Sequence, residues 1–339
     1  MTTNDKPLQV PATATCADVA KLAGVSTAVV SYVFNNGPRN VAPKTRLKVQ
    51  QAAQLLDYHP NSIAQALRTG CSKLIGVVAT DFTNPFFAAI NNTLETQAAD
   101  NGYSTMFLTS RGDARREREC IDRLLSRNVD AIFGEFSHAH FSLTDARPVK
   151  CPIILMDYIH RESGYKYVSS DFFQASQLVA SHFFDHGHRR IGMLFGEEPD
   201  MATARFRGWY QAHKERGIEL GPIQQTGYTR HGGYEATLRM LDETIPPTAI
   251  FAGSDSEAIG ALRAIYDRHL RVPQDIAIIS MDGTDDCKYT YPTLTSIEQN
   301  TDELAHCAIN AALAPTETPD LQLVPVSLHI RQSCGCQSA

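Results

Sequence analysis

The sequence predicts two unlike parts: an N-terminal all-α headpiece of helix-turn-helix form, and an α/β body of two doubly wound parallel-sheet lobes. Three observations lead there. Short apolar stripes at helical spacing, broken by Gly24, fill the N-terminal end. From Lys73 onward, apolar runs alternate with helical stretches. Charge divides at the same place: residues 1–70 hold seven Lys or Arg against three acids, and the remainder holds 24 against 34. A basic segment on an acidic body suits a polyanion that meets only the N-terminal end, although seventy residues can reach that balance by chance.

In the headpiece, Thr15 is placed to cap a helix from about Cys16 to Ala23, where Val19, Ala20, Leu22 and Ala23 recur at helical spacing. Gly24 ends it, because only glycine enters the left-handed cap conformation without steric cost. Val25 plugs the corner, and Ser26 caps a second helix, Thr27 to about Asn35, striped by Val30, Val33 and Phe34. A generic helical hairpin shares this helix-turn-helix spacing. After a turn at Asn35-Asn36-Gly37-Pro38, a third helix is expected from Pro43 to about Tyr58, carrying Leu47, Val49, Ala53, Leu55 and Leu56.

In the body, Leu74–Ala79, Thr105–Leu108, Ala131–Phe133, Ile153–Met156, Ile191–Phe195, Ala249–Phe251 and Ile276–Ser280 read as buried parallel strands. Between them Phe86–Ala99, Arg115–Ser126, Phe172–Asp185, Ala202–Arg216, Tyr234–Leu241 and Ser256–Arg268 read as helices. Such alternation gives doubly wound sheets with right-handed crossovers, and this many strands implies two lobes rather than one.

Composition narrows the function classes. With 43% hydrophobic and 20% charged residues the chain is neither collagenous nor of low complexity. No uninterrupted apolar run approaches the ~20 residues of a membrane span. Met1 to Thr15 lacks the apolar core of a signal peptide, so the expectation is a cytoplasmic protein without membrane association. None of the eight cysteines form a CxxC pair, and free thiols are the default in a reducing compartment. No GxxxxGK[ST], GxGxxG or GxSxG occurs, so no cofactor and no catalytic residue is expected. His182, His186 and His188 read as a helix end around Gly187, and Cys334-Gly335-Cys336 as a short polar tail, so no metal site is expected from either.

Two stretches make the chain recognisable. Asp18-Val19-Ala20-Lys21-Leu22-Ala23-Gly24-Val25-Ser26-Thr27 with Val30-Ser31, and Tyr58-His59-Pro60-Asn61-Ser62-Ile63-Ala64-Gln65-Ala66-Leu67-Arg68, lie at a fixed spacing. They precede Ile75-Gly76-Val77-Val78 and Asn84-Pro85-Phe86-Phe87. Together they resemble the headpiece, hinge and first body strand of the LacI/GalR family of bacterial transcription regulators, from about Thr15 to Ile330. The resemblance implies a DNA-binding domain at 14–59, a hinge helix at 60–70, and a periplasmic-binding-protein-like effector and dimerisation domain at 71–332. Within that domain it implies an N-lobe of about 71–167 and 298–325, and a C-lobe of about 168–297 and 326–332.

For DNA, the second helix would enter the major groove with Thr27, Ala28 and Tyr32 at the base edges. Position 32 carries Tyr where many relatives have Arg, which removes the bidentate contact to guanine. Val29 stands where a Thr is common, removing a hydroxyl that could reach a phosphate. Thr15, Ser26, Ser31, Asn35, Thr45, Arg46 and Asn61 are the phosphate donors, which position without specifying; for Ser26 helix capping is compatible with that role. The segment Asn61–Arg68 is shorter than the ~12–15 residues of a marginal isolated helix, so it is expected to fray until something packs on it. Leu67 matches the family's minor-groove wedge, with packing on its own core as the alternative.

For the effector, polar residues sit after the body strands, where ligands of such sheets bind. Asn84, Phe86, Arg111, Asp157 and Asp255 follow strands, while Arg205, in Arg205-Phe206-Arg207-Gly208, and Asp282 match the family's effector contacts. Three carboxylates, two arginines and an aromatic face suit a polyhydroxylated ligand; an ion pair or loop cap is the competing role for each. Ser280-Met281 departs from the Gly-Phe/Tyr that the family places before that last acid.

The expectation is therefore a homodimeric repressor of carbohydrate uptake or catabolism genes, bound to operator DNA and modulated by a sugar between the lobes. A purine or a phosphorylated protein as effector is the alternative within the family. A plain sugar carrier, and an enzyme using Asp157, Asp255 or Asp282 as acid or base, are the rivals outside it.

Overall fold

The structure, a computed structural model, describes residues 14–34, 40–60, 62–135, 151–156, 165–196 and 199–336. It separates into two units, Met1–Ser72 and Lys73–Ala339.

The first unit is helical: α1 Cys16–Ala23, α2 Thr27–Phe34, α3 Pro43–Leu55 and α4 Ser62–Thr69. Thr15 and Asp18 form a reciprocal capping box at the start of α1, with Thr15 N donating to Asp18 Oδ2 at 2.8 Å. Gly24 has φ 66°, and Val25 N donates to Ala20 O at 3.0 Å, which closes α1. The chain then turns through 105° into α2, within the range of helix-turn-helix units. Val19, Ala20, Val30, Val33, Val49, Ala52 and Ala53 form one small core, with Val25 and Leu56 packed on it.

Helix α3 departs from expectation: it stops at Leu55, and Leu47 and Leu55 are 55% and 79% exposed. Ala52 joins the expected Val49 and Ala53 in the core, with Leu56 packed on them, because the small alanines let α3 lie close to α1. The segment expected to fray is helical as α4. Ala, Gln, Leu and Arg are strong helix formers, and Gly70 N closes the last turn on Ala66 O at 2.8 Å.

The second unit holds two six-stranded sheets. The first contains β1 Leu74–Ala79, β2 Ser104–Thr109, β3 Ala131–Gly134, β4 Ile153–Met156, β5 Lys166–Ser170 and β11 Leu321–Val324, in the order β11-β5-β4-β3-β1-β2, all parallel. The second contains β6 Ile191–Phe195, β7 Ile223–Gln225, β8 Ala249–Ala252, β9 Ala277–Asp282, β10 Thr295–Gln299 and β12 Val326–His329, in the order β12-β10-β9-β8-β6-β7; only β12 is antiparallel. Helices α5 Pro85–Asp100, α6 Ala114–Leu125 and α12 Thr301–Leu313 accompany the first sheet. Helices α7 Phe172–Asp185, α8 Ala204–Arg216, α9 Arg230–Leu241, α10 Asp255–Asp267 and the short α11 Asp286–Tyr289 accompany the second. Each sheet is covered by apolar clusters, Ile90, Leu94 and Phe133 with Ile121 and Leu124 in one lobe, Phe183 and Trp209 with Ile250 and Met240 in the other.

The chain passes between the lobes three times: after β5 at Ser170, after β10 at Gln299 and between β11 and β12 at Pro325. The first two crossings fall two or three residues later than the expected lobe boundaries. Each crossing leaves a strand at its C-terminal end, so those ends of both sheets lie toward the passage between the lobes. In each sheet the strand order also reverses there, between β1 and β3 and between β6 and β8, where open α/β sheets bind ligands.

Candidate nucleic-acid interface and ligand site

In the helical unit, Ser26 Oγ accepts from Val29 N at 3.4 Å, which caps α2 and leaves its O–H able to donate outward. Thr27 and Ala28 are exposed at the start of α2, and Tyr32 is half-buried one turn on. The Thr15 hydroxyl donates to Asp18 Oδ2 at 2.6 Å, so its proton is engaged in the cap rather than offered to a phosphate. Arg46 donates from Nη1 to Val33 O at 3.1 Å, tying α3 to the last turn of α2. That bond uses one of five guanidinium N–H groups and makes Arg46 a brace as well as a cation. Ser31 and Thr45 are half-buried, and Leu67 on α4 is 83% exposed. Asn35 and Asn61 lie outside the described residues.

In the second unit, Arg205 begins α8 directly after the β6 loop. It donates from Nη1 to Tyr228 Oη at 3.0 Å and to Gly253 O at 3.1 Å, and its guanidinium stacks 4.5 Å above the Phe172 ring. Gly208 sets that placement: a Cβ there would sit 2.4 Å from Phe173 O, so only glycine lets α8 approach α7 so closely. Beneath lies Glu257, fully buried in the first turn of α10. It accepts from the Thr226 hydroxyl and from Ser254 Oγ at 3.1 Å. Burial pushes its carboxyl up to about 7, against the pull of the Thr226 hydroxyl, Arg205 and Ser254.

Asp282 ends β9 with φ 115°, a left-handed value that a non-glycine residue holds only where its surroundings impose it. Its Oδ1 accepts from Gln299 Nε2 at 2.9 Å, its Oδ2 from Asp255 N at 3.3 Å, and it retains 8% exposure. Gln299 in turn accepts from Ser170 Oγ at 2.7 Å. The acid is thereby tied to two of the three crossings.

Two expected ligand contacts are corrected. Asp255 is 2% exposed, and its oxygens accept from Ser280 Oγ, Ser296 Oγ, Thr284 N and Thr284 Oγ1 at 2.5–2.8 Å. Those four donors fill its acceptor positions, so Asp255 brackets the loop after β9 rather than facing a ligand. Phe86 is 4% exposed within the core of the first lobe, because Pro85 starts α5 and turns the next side chain inward; Phe87 beside it is the half-exposed ring. Asn84 caps α5, with Oδ1 accepting from Phe86 N at 3.0 Å. Arg111 is exposed in a turn after β2, at φ 55°. Asp157 lies outside the described residues.

Three positions escaped the sequence reading. Glu257 carries a capping-box signature in Ser254-Asp255-Ser256-Glu257, with Ser254 Oγ accepting from Glu257 N at 3.2 Å, and could have been found from it. Glu135, buried after β3, accepts from Thr80 N at 3.2 Å across the switch point of the first sheet. Gln299 has no local signal. Unexpectedly, the structure also brings His182, His186 and Cys336 together.

A helix-turn-helix unit followed by a two-lobed α/β body, with polar groups at both switch points, defines a ligand-responsive DNA-binding regulator. Comparison with known proteins agrees. Residues 15–61 match the bacterial regulatory proteins of the lacI family, and residues 180–334 match the periplasmic binding protein-like domain. The chain is 32% identical to the HTH-type transcriptional repressor PurR of Pasteurella multocida (strain Pm70), covering 93% of this chain and 96% of that protein. It is 31% identical to the ribose operon repressor of Escherichia coli (strain K12), covering 91% and 95%. Among solved structures it superposes on the Lac repressor dimer bound to operator and the anti-inducer ONPF with a TM-score of 0.83, at 28% identity, over 94% of this chain and 98% of that one. The chain belongs to the LacI family of bacterial transcription regulators.

Proposed function

We propose that the chain is a homodimeric repressor of carbohydrate uptake or catabolism genes, whose operator affinity is set by a sugar bound between the lobes. The observation that carries this reading is the placement of Arg205 and Asp282 at the strand ends of one lobe, with Asp282 linked through Gln299 to the crossings. Such a set recognises hydroxyls and discriminates strongly, because an analogue lacking one leaves buried polar groups unpaired. A LacI-family regulator of Enterococcus faecium holds ribose in a structure resembling this one at a TM-score of 0.67 and 27% identity, over 77% of this chain and 98% of that one.

On this reading Thr27, Ala28 and Tyr32 meet the base edges, and Leu67 wedges the minor groove. Ser26, Ser31, Asn35, Thr45, Arg46 and Asn61 hold phosphates. The effector changes lobe orientation and with it the spacing of the two hinge helices, and shifts DNA affinity only by its differential affinity for the two states. The protein acts in the cytoplasm by binding rather than by catalysis. Likeness to the transcriptional repressor PurR supports a purine as the second reading.

The test is thermal denaturation of the full chain against pentoses, hexoses and purine bases, followed by operator binding with each hit. A sugar that raises the midpoint and changes operator affinity supports the proposal. Stabilisation by a purine alone supports the second reading, and a chemically altered ligand overturns both.

A further inference from the structure

Helix α7 ends in His182-Phe183-Phe184-Asp185-His186, which sets two imidazoles one turn apart on one face. Their rings stack with centroids 4.3 Å apart. From beyond β12 the Cys336 thiol reaches the same place, with Sγ 3.5 Å from His182 Nε2 and 3.2 Å from His186 Nε2. The three donor atoms all lie within 4.8 Å of one another. His188, the third histidine of this stretch, points elsewhere, with Nδ1 2.9 Å from Thr248 Oγ1.

We propose that His182, His186 and Cys336 form a binding site for a thiophilic divalent ion of the Zn2+ class. Around tetrahedral zinc, with bonds of about 2.0–2.1 Å to nitrogen and about 2.3 Å to sulfur, a nitrogen and a sulfur donor lie about 3.6 Å apart. The two nitrogen–sulfur separations, 3.5 and 3.2 Å, lie within a few tenths of an ångström of that value. Two imidazoles and a thiolate also disfavour Mg2+ and Ca2+, which take oxygen donors.

The surroundings are arranged for the same role. His186 Nδ1 lies 2.8 Å from His182 O; a carbonyl only accepts, so Nδ1 carries the proton and Nε2 can present its lone pair. The C-terminal end of a helix favours a cation. The adjacent Asp185 carboxylate is engaged by Arg216 at 3.3 Å. The tail that delivers Cys336 is ordered by the sheet: Ser333 Oγ donates to Ile278 O at 2.7 Å and accepts from Thr295 N at 2.8 Å, and Arg331 donates to Leu294 O at 2.8 Å. Cys334 is buried against the second sheet, its thiol also within hydrogen-bonding reach of His182 and Cys336, and Gly335, at φ 91°, turns the chain back to α7. A bound ion ties residues 331–336 to α7, about 20 Å along that helix from Phe172 under Arg205, so the site is independent of the ligand site.

The reduced full chain, titrated with Co2+ and then with Zn2+, tests this. One equivalent of Co2+ should give a thiolate-to-metal charge-transfer absorption that Zn2+ displaces, and Zn2+ should raise the thermal midpoint. Cys336→Ser should abolish the charge-transfer band. His186→Ala, at an exposed position, should weaken Zn2+ binding at least about tenfold, while His231→Ala on α9 should change neither. Absence of the thiolate band, its survival in Cys336→Ser, or unchanged Zn2+ affinity in His186→Ala overturns the proposal.

Discussion

The side-chain amide of Gln299 donates to the Asp282 carboxylate at 2.9 Å, and both groups are buried. Because Gln299 also accepts from Ser170, one amide joins the acid at the end of β9 to the ends of β5 and β10, where the chain changes lobes. A change in lobe angle therefore strains this amide directly. Gln299→Leu keeps the volume but leaves the Asp282 oxygen and the Ser170 hydroxyl without this partner, which typically costs about 1–3 kcal/mol per buried group. The expected outcome is lower stability in urea and a weakened coupling between effector and operator, with operator affinity in the absence of effector retained. Equal coupling in variant and parent would remove the relay from the mechanism.

Glu257 predicts a pH dependence. Its folded value of about 7 lies above the ordinary 4.5, so the folded state holds the proton more tightly than the unfolded chain. Between those values the folded state binds more protons, and stability falls as pH rises through that window. The contribution is on the order of 3 kcal/mol, fully present below about 4.5 and lost above about 7. Glu257→Gln keeps an amide for Ser254 and Thr226 but cannot ionise. Its melting midpoint should therefore fall less than that of the parent between pH 5 and 7.5, and parallel curves would count against the raised value.

Arg205 makes two hydrogen bonds from one nitrogen, Nη1, while its plane lies on Phe172. A lysine keeps the charge but has neither the planar fork nor the stacking face. Arg205→Lys should therefore lower effector affinity by about tenfold or more, equivalent to about 1.4 kcal/mol, while basal operator binding stays within twofold. Calorimetric titration with the effector, alongside an operator shift assay, reads both quantities.

The periodicity of the chain revealed what local physics controls. Apolar runs marked β1 and β4 to the residue, and Gly24 with Ser26 marked the turn between α1 and α2, because strand burial and helix caps are written in adjacent residues. The strands β5, β7, β10, β11 and β12 were missed as strands, being short or polar: Thr295–Gln299 reads Thr-Ser-Ile-Glu-Gln, and its neighbours in the sheet supply the burial. The site shows the same division. Motif matching pointed to Arg205 and Asp282 as candidates, but strand-end position alone did not show that the Asp255 oxygens are saturated by donors from three separate segments. The same holds for Cys336 and His186, which lie 150 residues apart in the chain.

Leu67 provides the sharpest test of the DNA-binding reading. It is 83% exposed on an eight-residue helix, where a large apolar side chain gains nothing from the protein around it. Single exposed apolar residues are ordinary on a protein surface; what marks Leu67 is its place in the hinge motif, and unstacking a base step, at a few kcal/mol, is offset when such a wedge lets bent DNA meet more protein. Leu67→Ala removes the wedge while alanine preserves the helix. Specific operator affinity should fall at least about tenfold, effector affinity should stay unchanged, and binding to non-specific duplex should hold, since that rests on phosphate contacts alone. Filter binding to operator and random duplex at one salt concentration separates these outcomes, and an operator affinity equal to that of the parent would assign Leu67 to the linker instead.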